Sequence, residues 1–101
     1  MHMSNFESHI EGQKPVVVDF YAEWCGPCKL MTPVLQDLKG KIGDRATILK
    51  MDIDKNPAFA SMYGIQAVPT LLIFKQGRIV WRKSGVTPAH EILDRLTPLL
   101  D

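Results

Sequence analysis

The chain has 101 residues, 46% of them hydrophobic and 23% charged, enough for one domain to bury a core without covalent cross-links. Twelve Lys and Arg against eleven Asp and Glu leave a formal net charge of +1, with no basic stripe or run of like charge. That balance argues against nucleic acid and anionic membrane as partners. The longest apolar runs, Val16 to Val18 and Leu71 to Phe74, are far too short to span a bilayer, and the N-terminus lacks the regions of a signal peptide. The expectation is a soluble single domain over 1–101, with Met1-His2-Met3 an appended cloning remnant; a presequence already removed would leave no trace, so the compartment stays open.

In chain order, Ser4-Asn5-Phe6-Glu7 has the pattern of a capping box, and Phe6 and Ile10 stand at i,i+4 before Gly12, which predicts a short opening helix. After Pro15, the run Val16-Val17-Val18-Asp19-Phe20-Tyr21 is β-branched and aromatic with almost no alternation, the signature of a central strand covered on both faces. Gly26-Pro27 opens a helix with Leu30, Met31, Val34, Leu35 and Leu38 at helical spacing, closed by Gly40 and kinked at Pro33. Thr47 to Ile53 predicts a second strand, and Asn56-Pro57 the start of a short helix ending near Gly64. Thr70 to Phe74 and Arg78 to Lys83 flank the hairpin signal Lys75-Gln76-Gly77. Thr87-Pro88 caps a last helix whose apolar stripe is Ile92, Leu93, Leu96, Leu99 and Leu100, with Pro98 disturbing its final turn. The order of elements describes an α/β domain, a mixed sheet with helices on both faces.

Both cysteines lie in Glu23-Trp24-Cys25-Gly26-Pro27-Cys28, just after the central strand and one turn into the next helix. Three readings compete. As a structural staple the pair closes too small a loop to remove much chain entropy. As half of a zinc site it lacks the other half, since His2, His9 and His90 are scattered and no second cysteine pair follows. As a redox pair it fits: residues at i,i+3 on a helix have α-carbons about 5 Å apart, inside the disulfide range, so a bond forms and breaks with little motion.

The chain resembles the thioredoxins from roughly Asn5 to Leu100. The resemblance rests on the run from Val18 to Lys29, on Lys50 with Asp52-Ile53-Asp54, on Val68-Pro69-Thr70, and on Gly77 and Gly85. It implies the thioredoxin fold, transfer of two electrons between protein dithiols and disulfides with no cofactor beyond the Cys25–Cys28 pair, client proteins carrying disulfides, and an upstream protein that re-reduces the chain. A monomer in the cytoplasm is expected, with an extracytoplasmic form as the alternative.

Cys25, at a helix start, is the expected nucleophile, because unpaired N–H groups and the positive dipole end favour its thiolate and the strand end leaves it accessible. Cys28, more buried, resolves the mixed disulfide. Asp19 is the expected proton acceptor: a carboxylate inside a buried strand has a raised pKa unless paired, and Lys50 on the next strand is a candidate partner. The competing readings are a solvent-facing carboxylate and a plain surface lysine. Trp24 either shields the site or is an ordinary core aromatic. Around the cysteines the resemblance places Gly26 and Pro27, a cis peptide bond before Pro69, a Val68 backbone that pairs with an extended client, and Gly85 where that client approaches. A trans Pro69 and a merely turning Gly85 are the simpler alternatives.

Gly26-Pro27 between the cysteines is similar to the reducing members, as against oxidases and isomerases, which carry histidine there. A non-catalytic binding subunit on the same fold is the remaining alternative. The chain departs from the family pattern in two places: the common first strand is missing or truncated, and Tyr21 stands where many members have tryptophan.

Overall fold

The computed structural model describes residues 5–101, so Met1-His2-Met3 and the Ser4 of the expected capping box lie outside the described residues. Helix α1 covers Asn5–Ile10, strand β1 Val16–Tyr21, helix α2 Met31–Ile42, strand β2 Thr47–Asp52, helix α3 Pro57–Met62, strands β3 Thr70–Lys75 and β4 Arg78–Ser84, and helix α4 Ala89–Leu96. Short 3₁₀ turns at Pro27–Leu30, Gly43–Arg45 and Thr97–Leu99 precede α2, follow α2 and follow α4.

Among the described residues the sheet has four strands in the order β2-β1-β3-β4, so β1 is internal and β2 stands at an edge. β1 runs parallel to β2 and antiparallel to β3, and β3 and β4 form the antiparallel hairpin. The hairpin turns on two residues, Gln76 and Gly77, both at positive φ, which suits the twist of the flanking strands. The near-absence of alternation along β1, apolar except for Asp19, follows from coverage of both faces. Val17, Leu71 and Ile73 pack with Met31, Leu35, Leu38 and Ile42 of α2 and with Ile92 and Leu96 of α4. Val16, Val18, Phe20, Leu72 and Phe74 pack with Phe6 and Ile10 of α1 and with the rings of Phe59 and Tyr63. Each fully buried aliphatic side chain here contributes about 1.5–3 kcal/mol.

Four details of the helices differ from the sequence reading. Leu30 is 60% exposed, because the helical path begins as a 3₁₀ turn, whose tighter winding takes Leu30 out of phase with the buried stripe Met31, Leu35, Leu38 and Ile42. Gly40 does not close α2: burial of Ile42 carries the helix on, and Gly43 ends it at φ +56°. Pro33 falls in the first turn of α2, where the missing N–H costs nothing. At α4 the cap position is Pro88, while the Thr87 hydroxyl donates to the Gly85 carbonyl, so Thr87 turns the chain and does not cap the helix. Pro98 does convert the last turn to 3₁₀.

The topology gathers four chain segments at one end of the sheet. The C-terminal end of β1 lies beside that of the parallel β2, beside the start of β3 (Phe20 opposite Thr70) and, one strand further, beside the end of β4 (Thr70 opposite Ser84).

Candidate active site

Tyr21 ends β1, and the chain turns through Ala22 to Cys25, whose N–H donates to the Ala22 carbonyl at 3.1 Å. Cys25 and Cys28 are joined as a disulfide with α-carbons 5.4 Å apart, in line with the geometry read from the spacing. The Cys28 N–H points at Cys25 Sγ from 3.2 Å, so a backbone dipole faces the sulfur where a negative charge would sit. On its other side, Cys25 Sγ lies 3.6 Å from the Val68 carbonyl oxygen. The Val68–Pro69 peptide bond is cis.

Both cysteines are only 4% exposed, so neither the accessibility expected of Cys25 nor the deeper burial expected of Cys28 appears. Both cysteines sit in one cluster with Ala22, against which Tyr21, Ile53 and Val68 pack, which accounts for the first, and what separates the sulfurs is their surroundings. Cys28 lines a cavity of about 300 Å³ shared with Tyr21, Glu23, Lys29, Thr32 and Lys50. Trp24 is 70% exposed beside the pair, which rules out the core reading, and its indole N–H donates to Asp54 at 2.8 Å. Asp54 is in turn held by a turn in which Asp52 Oδ1 accepts from the N–H groups of Asp54 and Lys55. Sequence reasoning assigned no role to Asp54; the Asp-x-Asp spacing at the end of β2 was the available signal for such a turn.

Asp19 faces the α2 side of the sheet and is completely buried, so the solvent-facing reading is excluded. Among the described residues no protein group hydrogen-bonds either carboxylate oxygen. Loss of hydration raises its pKa from 3.8 to about 6, and the positive charge of Lys50 pulls it partly back. Lys50 is the β2 residue opposite Asp19, but its ammonium rests over the Tyr21 ring, 4.6 Å from the centroid, at the wall of the cavity that reaches Cys28. Gly26 and Pro27 are exposed beside the disulfide, and Pro69 is buried. Gly85 has φ +96°, and a side chain there would meet no neighbouring atom, so the backbone conformation, not crowding, calls for glycine. Among the described residues no group of three or more His, Cys, Asp and Glu is placed to hold a metal ion, and no helix is long and apolar enough to cross a membrane.

The family model Thioredoxin matches residues 1–98. The chain is 42% identical over 97 residues to the thioredoxin of Alicyclobacillus acidocaldarius subsp. acidocaldarius, covering 96% of this chain and 92% of that protein. It is 41% identical over 92 residues to the thioredoxin of Rickettsia prowazekii, covering 90% and 88%. Against the longer chloroplastic thioredoxin Y of Oryza sativa subsp. japonica it is 41% identical over 99 residues, 97% of this chain and 59% of that protein. A two-cysteine pair at bonding distance on this sheet, together with relatives of nearly equal length, places the chain in the thioredoxin family, as a thiol–disulfide oxidoreductase that reduces disulfides.

Proposed function

We propose that residues 1–101 act as one monomeric cytoplasmic domain that reduces client proteins with Cys25 as nucleophile and Cys28 as resolving thiol. The Cys25 thiolate attacks one sulfur of a client disulfide; that S–S bond breaks, and the other client sulfur leaves as a thiolate that takes a proton from solvent. Cys28 gives its proton to the Asp19 carboxylate and attacks Cys25 Sγ, breaking the bond to the client; the second client sulfur leaves as a thiolate and takes up a proton from solvent, to which Asp19 releases its own, so the client departs as a dithiol two electrons richer. The Cys25–Cys28 disulfide is then reduced by an upstream protein dithiol. Lys50 tunes Asp19, and clients dock on the surface made by Trp24, Gly26, Pro27, Val68, Pro69 and Gly85, an extended segment pairing with the Val68 backbone.

The observation that carries this assignment is the Cys28 N–H aimed at Cys25 Sγ, which among the described residues gives one sulfur of the pair, and not the other, a fixed donor. Two measurements test it. Alkylation of the reduced protein across pH should show Cys25 ionising below the value of about 8.5 for free cysteine. Cys28→Ser should reduce insulin no longer under dithiothreitol and should hold clients as thiol-releasable adducts on Cys25; adducts on Cys28 in the reciprocal Cys25→Ser variant, or none in either, refute the order of attack.

A further inference from the structure

The loop that carries Val68 and Pro69 leaves the end of α3 and enters β3, and β4 holds it at both ends. At its front, the Arg82 guanidinium donates to the carbonyls of Tyr63 at 2.5 Å and Gly64 at 2.6 Å, in a fork across two consecutive peptide groups. These are carbonyls at the C-terminal end of α3, where orphan acceptors and the negative dipole end favour a cation. Lysine, with a single ammonium, cannot span both in this way. At its rear, the Thr70 hydroxyl donates to the Ala67 carbonyl at 2.6 Å. Its hydrogen being spent there, Ser84 Oγ is the donor in the 2.9 Å contact between the two hydroxyls. The Gly85 N–H donates to the Pro69 carbonyl at 2.8 Å. Between these anchors stands Val68, whose carbonyl oxygen is 3.6 Å from Cys25 Sγ.

We propose that Arg82 is a positioning residue for client recognition, acting through this loop. By fixing where α3 ends, it sets the placement of the Val68 backbone against Cys25. The protein thereby favours disulfides flanked by an extended peptide over small disulfides that make no backbone contact. Arg82 is exposed on the edge strand and touches neither sulfur, so its effect falls on peptide binding and not on sulfur chemistry. The inference rests on the reading that clients pair with the Val68 backbone.

The test compares wild type, Arg82→Met and Arg82→Lys on an extended disulfide peptide, on the same peptide N-methylated beside its cysteine, and on bis(2-hydroxyethyl) disulfide. Arg82→Met should raise KM for the unmethylated peptide about fivefold with kcat unchanged, a loss of binding and not of chemistry. Its rate on the small disulfide and its Cys25 alkylation rate should stay within about twofold of wild type, and Arg82→Lys should recover only part of the loss. An unchanged peptide KM, or an equal loss on the small disulfide, overturns the proposal. If Arg82→Met fails to fold, Ser84→Ala loosens the other anchor and is judged by the same ratio of substrates. A wild-type protein that treats both peptides alike refutes backbone pairing itself. Unchanged hydrogen exchange at the amides of residues 64–68 in Arg82→Met refutes the anchoring, so the two failures are distinct.

Discussion

Replacing Asp19 by asparagine tests whether the fold holds a carboxylate against its own stability. The side chain is fully buried with no hydrogen-bond partner among the described residues, and its pKa rises from 3.8 to about 6. Burial therefore disfavours the ionised form in the folded state. In the unfolded chain the proton leaves near 3.8; in the folded chain it stays until about 6. Between those values the native state binds more protons than the unfolded state, so stability falls as pH rises, and above about 6 the loss is complete. A shift of roughly two pH units corresponds to about 3 kcal/mol. Asparagine has similar shape and buries a neutral amide in the same place, so Asp19→Asn should equal wild type near pH 3.5 and exceed it by about 3 kcal/mol at pH 8.

Urea unfolding of both proteins at a series of pH values reads this directly as a difference in midpoint that opens with pH. A stability difference independent of pH refutes the argument, because only a titrating buried charge produces the opening. The same variant is expected to be slower. At pH 7 a group with a pKa of about 6 is roughly nine-tenths ionised and ready to accept a proton. Losing that acceptor should slow resolution of a preformed mixed disulfide by about 10²-fold. An unchanged single-turnover rate at pH 7 removes Asp19 from the chemistry even if the stability result holds.

Lys50→Met removes the positive charge that pulls the Asp19 pKa down, so the pH profile of mixed-disulfide resolution should move to higher pH; a profile that stays put shows that Lys50 does not act through Asp19. Asp54→Ala releases the Trp24 indole at a cost of only about 1 kcal/mol in stability, and KM for insulin should rise with the Cys25 alkylation rate unchanged. An effect of the same size on alkylation means that Trp24 acts on the sulfur and not on the client. Gly43→Ala places a side chain at φ +56° where no neighbour crowds it, so its cost, about 1–2 kcal/mol by urea midpoint, comes from the backbone alone. Gly40→Ala, in the exposed interior of α2, should stabilise by about 1 kcal/mol, and the pair together checks which glycine ends the helix.

What the sequence revealed was whatever local rules determine. The run Val16 to Phe20, apolar but for Asp19, announced a strand with two covered faces, and both core clusters draw on it. The hairpin at Gln76-Gly77 and the 3₁₀ ending around Pro98 follow from turn chemistry confined to a few residues. The stripe Met31, Val34, Leu35 and Leu38 of α2 was legible too, but the exposure of Leu30 was not, because Leu30 belongs to a 3₁₀ turn and nothing in Pro27 to Leu30 distinguishes that from an α start. Nor were the partners of Trp24 and Arg82. Asp54 is thirty residues from Trp24, and Tyr63 nineteen from Arg82, so only the folded sheet brings them together. Asp19 was visible for the opposite reason: a charge inside an apolar strand contradicts its surroundings, and such contradictions concentrate where a site needs them.

Equal burial of Cys25 and Cys28 means that access alone cannot divide the labour between them. Under the proposed mechanism the two thiols need their charges at different times. Cys25 must be ionised before a client arrives, and a permanent dipole suits that need: the Cys28 N–H, 3.2 Å away, costs no proton and no reorganisation. Cys28 must stay protonated until the mixed disulfide exists and lose its proton only then, which calls for an acceptor whose occupancy can change. A carboxylate with an ordinary pKa is a weak base near neutrality, and a fixed dipole accepts nothing. Asp19, buried and lifted to about 6, lies close enough to neutrality to accept a proton and return it. Under the proposed mechanism, a protein hydrogen bond to that carboxylate would steady the fold and return its pKa toward the ordinary range, and so take the acceptor away from Cys28.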